Sequence, residues 1–568
     1  AAGLGDSLLD LAPAPGSRFT AAWIAAANAV LLALEAGQID PASACHEELE
    51  RLTRGVESSY IAARVRLSAA LIEHHRAPGG STVRALAEVA GQLRAIGARQ
   101  DEAQAARFAA WTSARLGRLD DYAVFARRAA EIIDEIAGEL DPASRTLYLM
   151  NKWNGRDEFV AGRMKELLSD ASGQPRRPRR REIVRAFRET EAVTRWPIDE
   201  AFGDHDAARL VGPATSDMVM DWVAERLQPS GRRIRGRGFA LRSAVGLWWF
   251  PARTLVLHYH MLPDRTYLFR IARGHLDVVI LPVGRVHLRI DLSAAVENHD
   301  QLGGLAAQLG IVDALERFRG IQRLVIIPHD AIAGVPFAAL PVRGGALCEH
   351  VAISQIDRLS RLRRGRGRRA ARRFVAVGLS GYAGSAYSDL PMTEAEARTA
   401  AGLLGARASE LLVGAAATCD RVRAALPDAT HLHVAAHGVF DPVQPAHSGV
   451  VLLDGEGHRT LTLHELRRLD LRRMQLATLA TCRSAQGAHL PGRERICLPS
   501  ALLDAGARGV IASLWPVDDE ASVEIMTALY RRLRTEPPAT ALAGMQAEHR
   551  RAGRSARHWA GLVFYGNE

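Results

Sequence analysis

The sequence predicts an α/β protein: a sheet with helices on both faces, preceded by an all-α, repeat-like region. Three observations carry this. From about residue 19 to 170, Ala, Leu and Ile recur at spacings of three and four, the period of packed helices. From Thr254 the period changes to two, in Leu255-Val-Leu-His-Tyr-His, Tyr267-Leu-Phe-Arg-Ile-Ala and Leu276-Asp-Val-Val-Ile-Leu, separated by Pro263-Asp264 and Gly274; this reads as an antiparallel meander. From Leu324 onward, continuously apolar runs alternate with helical patterns, as in a parallel sheet buried on both faces.

Four regions follow in order. Residues 1–172 form the helical region. Ala36-Gly-Gln-Ile-Asp-Pro-Ala42 and Leu116-Gly-Arg-Leu-Asp-Asp-Tyr122 are similar strings, and Ala129-Ala130 follow the second at small-residue positions. Both resemble the turn of tetratricopeptide repeats, where small side chains let paired helices approach; a plain helical bundle is the alternative. Either way, stacked helices expose a broad surface suited to a protein partner. Residues 173–238 are a linker and helical connector. It opens on Gly173-Gln-Pro-Arg-Arg-Pro-Arg-Arg-Arg-Glu182, whose prolines and like charges cannot bury a core. Residues 239–322 hold the meander and a helix, and 323–568 the core sheet, beginning at Leu324-Val-Ile-Ile-Pro.

Composition sets limits. The chain has 568 residues, 48% apolar and 24% charged, ordinary globular material. Its net charge of +10 rests almost wholly on arginine. With abundant Ala and Gly, that bias points to GC-rich coding, and nucleic acid is not an expected partner. Five cysteines at irregular spacing give neither a disulfide framework nor a Cys-x-x-Cys pair. The most apolar stretch, Ala21–Leu34, is interrupted by Asn28 and too weak for a membrane span. Asp6 and Asp10 stand where a secretory leader would carry positive charge. A reducing cytoplasm is the expected compartment.

The chemistry lies at two strand ends. His431-Leu-His-Val-Ala-Ala-His-Gly438 and Thr478-Leu-Ala-Thr-Cys482 are short β-prone runs, each ending on a reactive side chain. Parallel strands deliver the residues after their last ladder position to the carboxyl edge of the sheet, where such folds place ligands. His437 and Cys482 would thus share an edge, an imidazole base beside a thiol nucleophile. Their separation of 45 residues leaves room for a hairpin and a helix. His431 and His433 alternate along the first strand and read as structural. No acidic or thiol partner sits at metal-ligand spacing from these histidines, so neither metal nor cofactor is expected.

These blocks stand in an order that resembles the CHAT family, caspase-like clan CD cysteine peptidases usually joined to helical repeats. The matching strings are Val325-Ile-Ile-Pro-His-Asp-Ala-Ile-Ala-Gly-Val-Pro-Phe-Ala-Ala-Leu340, His433-Val-Ala-Ala-His-Gly438, Leu461-Thr-Leu-His-Glu-Leu466, Ala480-Thr-Cys482, Leu503 to Asp519, and Trp559-Ala-Gly-Leu-Val-Phe-Tyr-Gly566. The resemblance implies a caspase-like three-layer sheet, a Cys482–His437 dyad and an oxyanion hole from the N–H groups of Gly438 and Cys482. It further implies a protein substrate such as a gasdermin-like pore former, an activating partner at the helical region, and a role in bacterial programmed-death or anti-phage defence. One departure is visible: the family commonly has Cys-Glu-Thr-Gly, whereas Arg483, Ser484 and Ala485 follow Cys482. A catalytically inactive caspase-like scaffold that binds partners is therefore the alternative.

Leu514-Trp-Pro-Val-Asp-Asp519 resembles a string in separase, a clan relative that cleaves after arginine using an aspartate here. The matching position is Asp519, with Asp518 as neighbour. A carboxylate in a narrow pocket pairs bidentately with guanidinium; the competing reading is that both residues favour the start of the next helix.

Overall fold

The computed structural model describes residues 15–35, 38–116, 118–139, 176–193, three positions between 164 and 168, and most of 251–567. Gaps in the last stretch include most of 285–301, and 363–372, 442–446, 482–483, 490–494 and 517–518. The chain divides into two compact units: a helical one within residues 15–177, and an α/β one that takes in 178–193 and 251–567.

In the helical unit, α1 (Pro15–Glu35), α2 (Ile39–Thr53), α3 (Ser59–Arg76), α4 (Gly80–Ala95), α5 (Arg99–Arg115) and α6 (Leu119–Gly138) each pack on the next. The two similar strings noted in the sequence fall on the α1–α2 and α5–α6 turns. Helix α1 also meets α3, and α3 meets α5, the neighbour pattern of a layered stack. Val30, Leu67, Leu86, Leu93 and Ala105 form its dry centre. Among the described residues, Glu102 is the carboxylate sunk deepest into it, with 2% of its side chain exposed, and it accepts from Arg94 Nε at 2.7 Å and Arg128 Nε at 2.8 Å. Burial alone would raise its pKa, but the two guanidinium groups outweigh that and hold it below the ordinary value.

The α/β unit is built on one eleven-stranded sheet. The meander is present as β1 (Thr254–Met261), β2 (Thr266–Ala272) and β3 (His275–Leu281). It does not stand apart from the core, because β1 pairs in parallel with β4 (Arg323–Ile327). Strand β1 is buried along its whole length, so both faces need cover. Leu255, Leu257, Tyr259 and Met261 pack toward Leu305, Ile311 and Leu315. On the alternate positions, α7 (Arg180–Val193) sets the Phe187 ring 5.1 Å from both His258 and Phe269. Part of the stretch assigned from sequence to a linker and connector, 173–238, therefore belongs to the sheet's packing.

The remaining strands are β5 (Ala352–Gln355), β6 (Arg373–Gly378), β7 (Ala408–Val413), β8 (His431–Ala435), β12 (Leu476–Leu479), β15 (Gly509–Ser513) and β16 (Leu562–Gly566). Between β8 and β12 lie the predicted hairpin and helix: β9 (Gly438–Val439), β10 (Gly449–Asp454), β11 (Gly457–Thr462) and α9 (Leu463–Arg467). A two-stranded ribbon, β13 (Gly487–His489) and β14 (Arg495–Cys497), follows β12. Across the sheet the order is β3-β2-β1-β4-β5-β16-β15-β12-β8-β6-β7.

Most pairs are parallel, but β16 runs antiparallel to β15. The half from β1 to β16 thus points opposite to the half from β15 to β7. Phe374, Ala376, Leu476, Ile511, Leu562 and Phe564 pack against α8 (Thr393–Leu404), α11 (Asp519–Leu533) and α12 (Pro538–Arg551). The alternate residues Val375, Val377, Ala477, Val510 and Ala512 are equally buried, and α10 (Leu498–Asp504) packs against β15. The three-layer expectation holds.

Candidate active site

Parallel strands β8 and β12 are in register with Val434 opposite Leu479. His437 and Cys482 each follow these partners by three residues, so one edge of the sheet receives both segments. Cys482, Arg483 and Asp518 lie outside the described residues; the flanks of the cysteine do not. Thr481 is buried, and its carbonyl accepts the Ser484 N–H at 3.2 Å. The Ser484 hydroxyl donates to Leu479 O at 3.2 Å and accepts the Ser513 N–H at 2.9 Å, while Ala485 N–H reaches Ser513 O at 2.9 Å. Ser484 and Ala485, two of the three residues that depart from the family's usual string, therefore tie the end of β12 to the end of β15.

His437 is held from three sides. Its Nε2 lies 2.7 Å from the Ser388 carbonyl. A carbonyl oxygen can only accept, so Nε2 carries the proton and, in the neutral ring, Nδ1 keeps the lone pair. The imidazole is thereby fixed in one tautomer by a main-chain carbonyl. Its main-chain N–H donates to the Tyr382 hydroxyl at 3.0 Å, and the two rings meet edge to face at 4.6 Å. Tyr387 covers a further side, 5.3 Å away. Burial pushes the Tyr382 pKa up to about 12, so its hydroxyl stays protonated and also donates to Val451 O at 3.4 Å.

The loop carrying Ser388 is itself pinned. Asp389 Oδ1 accepts the Tyr382 N–H at 2.8 Å, and the Ser380 hydroxyl donates to Glu394 Oε1 at 2.6 Å. His458 stacks on Tyr382 at 5.1 Å. Gly438, directly after the histidine, opens β9 opposite Val450.

Residues 300–567 match the family model of the CHAT domain. The chain carries a CHAT domain. Crystal structures of the Saccharomyces cerevisiae separase–securin complex align over 100% of this chain and 51% of theirs, at 10% and 9% identity and TM-scores of 0.44 and 0.46. The Arg-specific cysteine proteinase gingipain R aligns over 50% of this chain and 68% of its own, at 12% identity and a TM-score of 0.33. The chain spans about half the length of the separase chains it matches. No curated protein matches it significantly.

Beneath the edge, the CHAT domain buries His433 completely. Its Nδ1 is 3.1 Å from the Tyr530 hydroxyl. Its Nε2 is 3.0 Å from Glu396 Oε1, a close contact out of line for a hydrogen bond. This histidine therefore links β8 to α8 and α11 and has no path to the edge, as its alternation with His431 implies.

Next to β12, strand β15 ends at Ser513 and leads into Trp515. The Trp515 indole N–H donates to Arg557 O at 2.8 Å. A Cβ on Gly561 would stand 2.8 Å from that indole, so only glycine fits there. Asp519 is the first residue of α11, a position that serves equally a pocket carboxylate and a favourable charge in a helix's first turn. Ser388 and Tyr382 were not found from sequence. One acts through its backbone carbonyl, and the other is one tyrosine in a turn, so neither leaves a side-chain motif.

The Tyr382 contact yields a prediction. Tyr382→Phe removes the acceptor of the His437 N–H and the donor to Val451, and should lower kcat/KM about 10-fold, the equivalent of one hydrogen bond of about 1.4 kcal/mol. Steady-state kinetics beside a thermal melt checks it; a variant with unchanged kcat/KM removes Tyr382 from the histidine's support.

Proposed function

We propose that this CHAT-domain chain is a cysteine endopeptidase in which Cys482 is the nucleophile and His437 its base. The observation that carries the reading is the 2.7 Å contact between His437 Nε2 and the Ser388 carbonyl. It leaves Nδ1 as the basic nitrogen on an edge whose next strand, three residues past the matched ladder position, supplies Cys482.

Two of the other four cysteines are poor rivals. Burial pushes the pKa of Cys348 up to about 12 and that of Cys419 to about 11, and thiols so placed are inert at neutral pH. In the proposed mechanism His437 takes the thiol proton, the thiolate attacks the scissile carbonyl, and the proton passes to the leaving amine. Water then hydrolyses the thioester. The backbone N–H groups of Gly438 and Cys482 hold the oxyanion, donors of a kind worth about 10²–10³ in rate each.

Asp519, with Asp518, selects a basic residue before the cut. The substrate is a protein, a gasdermin-like pore former in a bacterial defence or death pathway by the family resemblance. The setting is a reducing cytoplasm, which keeps the thiol competent. Among the described residues no helix is long and apolar enough to cross a membrane.

The helical unit carries none of these groups and is the proposed docking region for an activating partner. A truncation beginning at residue 178, which keeps α7 on the sheet, should retain the fold and lose partner responsiveness. Activity assays with and without the partner test it; an unaltered response would place the sensor in the α/β unit. For the peptidase reading, the deciding assay is cleavage of a fluorogenic arginyl peptide and a candidate protein substrate by the full chain with its partner.

A further inference from the structure

We propose that Glu524, His549 and His558 form a binding site for a divalent transition metal, zinc being the fitting ion. The three come from different elements: Glu524 from the second turn of α11, His549 from the last turn of α12, and His558 from the helical turn Ala556–Trp559 ahead of β16. Their ligand atoms all lie within 4.8 Å of one another. Two imidazoles and one carboxylate, with a fourth position open to water, are the donors of a tetrahedral zinc site; oxygen-seeking calcium and magnesium do not take such a set.

Several features of the cluster ask for an ion. His558 Nε2 is sealed from solvent and has no hydrogen-bond partner among the described residues. Its nearest acceptor, Glu524 Oε2, is 3.9 Å away, too far for a hydrogen bond. His549 is 5% exposed. The two rings lie 5.5 Å apart and tilted by 33°, packed side by side.

Ligands on a zinc ion with bonds of about 2.0–2.1 Å stand about 3.3 Å apart in a tetrahedron. Closing the cluster to that size requires the Glu524 carboxylate to swing inward, and with 47% of its side chain exposed it is free to do so. One group opposes the ion: Arg554 donates to both Glu524 oxygens, at 3.0 and 3.1 Å. It is half exposed, and turning outward releases a carboxylate oxygen.

A metal here would clamp α11 to the segment on which Trp515 rests, since Trp515 bonds Arg557 O and Trp559 Nε1 bonds Arg554 O at 3.1 Å. The inference does not depend on the peptidase reading.

The test uses the full chain with Cys482→Ala, so that the proposed nucleophile cannot capture metal. After chelator treatment it is titrated with Co²⁺, read by its tetrahedral visible absorption, and with Zn²⁺, read by calorimetry and by the rise in Tm that binding to the folded state produces. One equivalent should bind, and His558→Ala and Glu524→Gln should each weaken binding at least about 10-fold. Glu524 is largely exposed, so its variant should still fold. Two results overturn the proposal. One is single-site binding unchanged in both variants, which puts the ion elsewhere. The other is neither binding nor a Tm shift at about 100-fold excess zinc, which leaves the His558 nitrogen to a water molecule.

Discussion

Cys482→Ala and His437→Ala should each reduce proteolysis by about 10⁴–10⁶-fold, and the double variant should lose little more. A nucleophile and its base act as a unit, so removing either already removes the covalent route. Neither change should cost more than about 1–2 kcal/mol of stability. His437 is part-exposed, and its bond to Ser388 lies at the surface, although the Tyr382 ring behind it is buried. The measurement is single-turnover cleavage by the activated chain, with a thermal melt beside it. Full cleavage by Cys482→Ala would end the nucleophile assignment. Additive losses in the double variant would mean that the two residues serve separate steps.

Cleavage should follow arginine or lysine, with Gln or Met at that position cut at least 10²-fold more slowly, a factor equivalent to about 3 kcal/mol. The magnitude separates the two readings of Asp519. As a first-turn charge on α11 it is worth about 0.3–1 kcal/mol of stability and nothing in selectivity. As a pocket carboxylate it forms a charge-assisted pair whose loss strands a guanidinium in a water-poor site. Asp519→Asn keeps the size and polarity of the side chain and removes the charge. It should cut the arginine preference by an order of magnitude or more while moving Tm little. A peptide library read by mass spectrometry gives both numbers. A preference for aspartate, or for apolar residues, before the cut would return Asp519 to the helix.

The legible parts of this fold are those whose signal is periodic. The alternation in Leu255–His260 and the apolar run Leu324–Ile327 mark strands β1 and β4 to within a residue or two. The spacing between His437 and Cys482 foretells the hairpin and helix that fill it. Strand direction is another matter, because Leu324–Ile327 and Gly509–Ser513 have the same apolar character whichever way they point. The reversal at the β16–β15 pair depends on where α12 returns the chain, which no local pattern records. The place of helix α7 on the sheet was hidden for a related reason. Its first turn belongs to an arginine run, and its value lies in Phe187 covering His258 and Phe269 more than 70 residues away.

At the site, side chains with intrinsic reactivity announced themselves, whereas the group that orients His437 is a peptide carbonyl. Glu524, His549 and His558 are separated by 25 and 9 residues, a spacing that matches no ligand motif and becomes visible only once α11 and α12 are side by side.

The position of β16 has a consequence for how the protein is made. It is the last strand in the chain, yet it lies between β5 and β15 in the middle of the sheet. At synthesis rates of about 5–20 residues per second, the 207 residues from Gln355 to Leu562 take about 10–40 seconds to emerge. Throughout that interval the inner edge of β5 stays unpaired, and once Ser513 has emerged the inner edge of β15 stays unpaired as well. The nascent chain is thus most vulnerable to mispairing just before β16 emerges. Its edge chemistry cannot be fully braced until Leu562 pairs with Ser513 beside the Ser484 tie. A premature stop near residue 560, which leaves both inner edges open, should yield aggregate rather than a folded sheet.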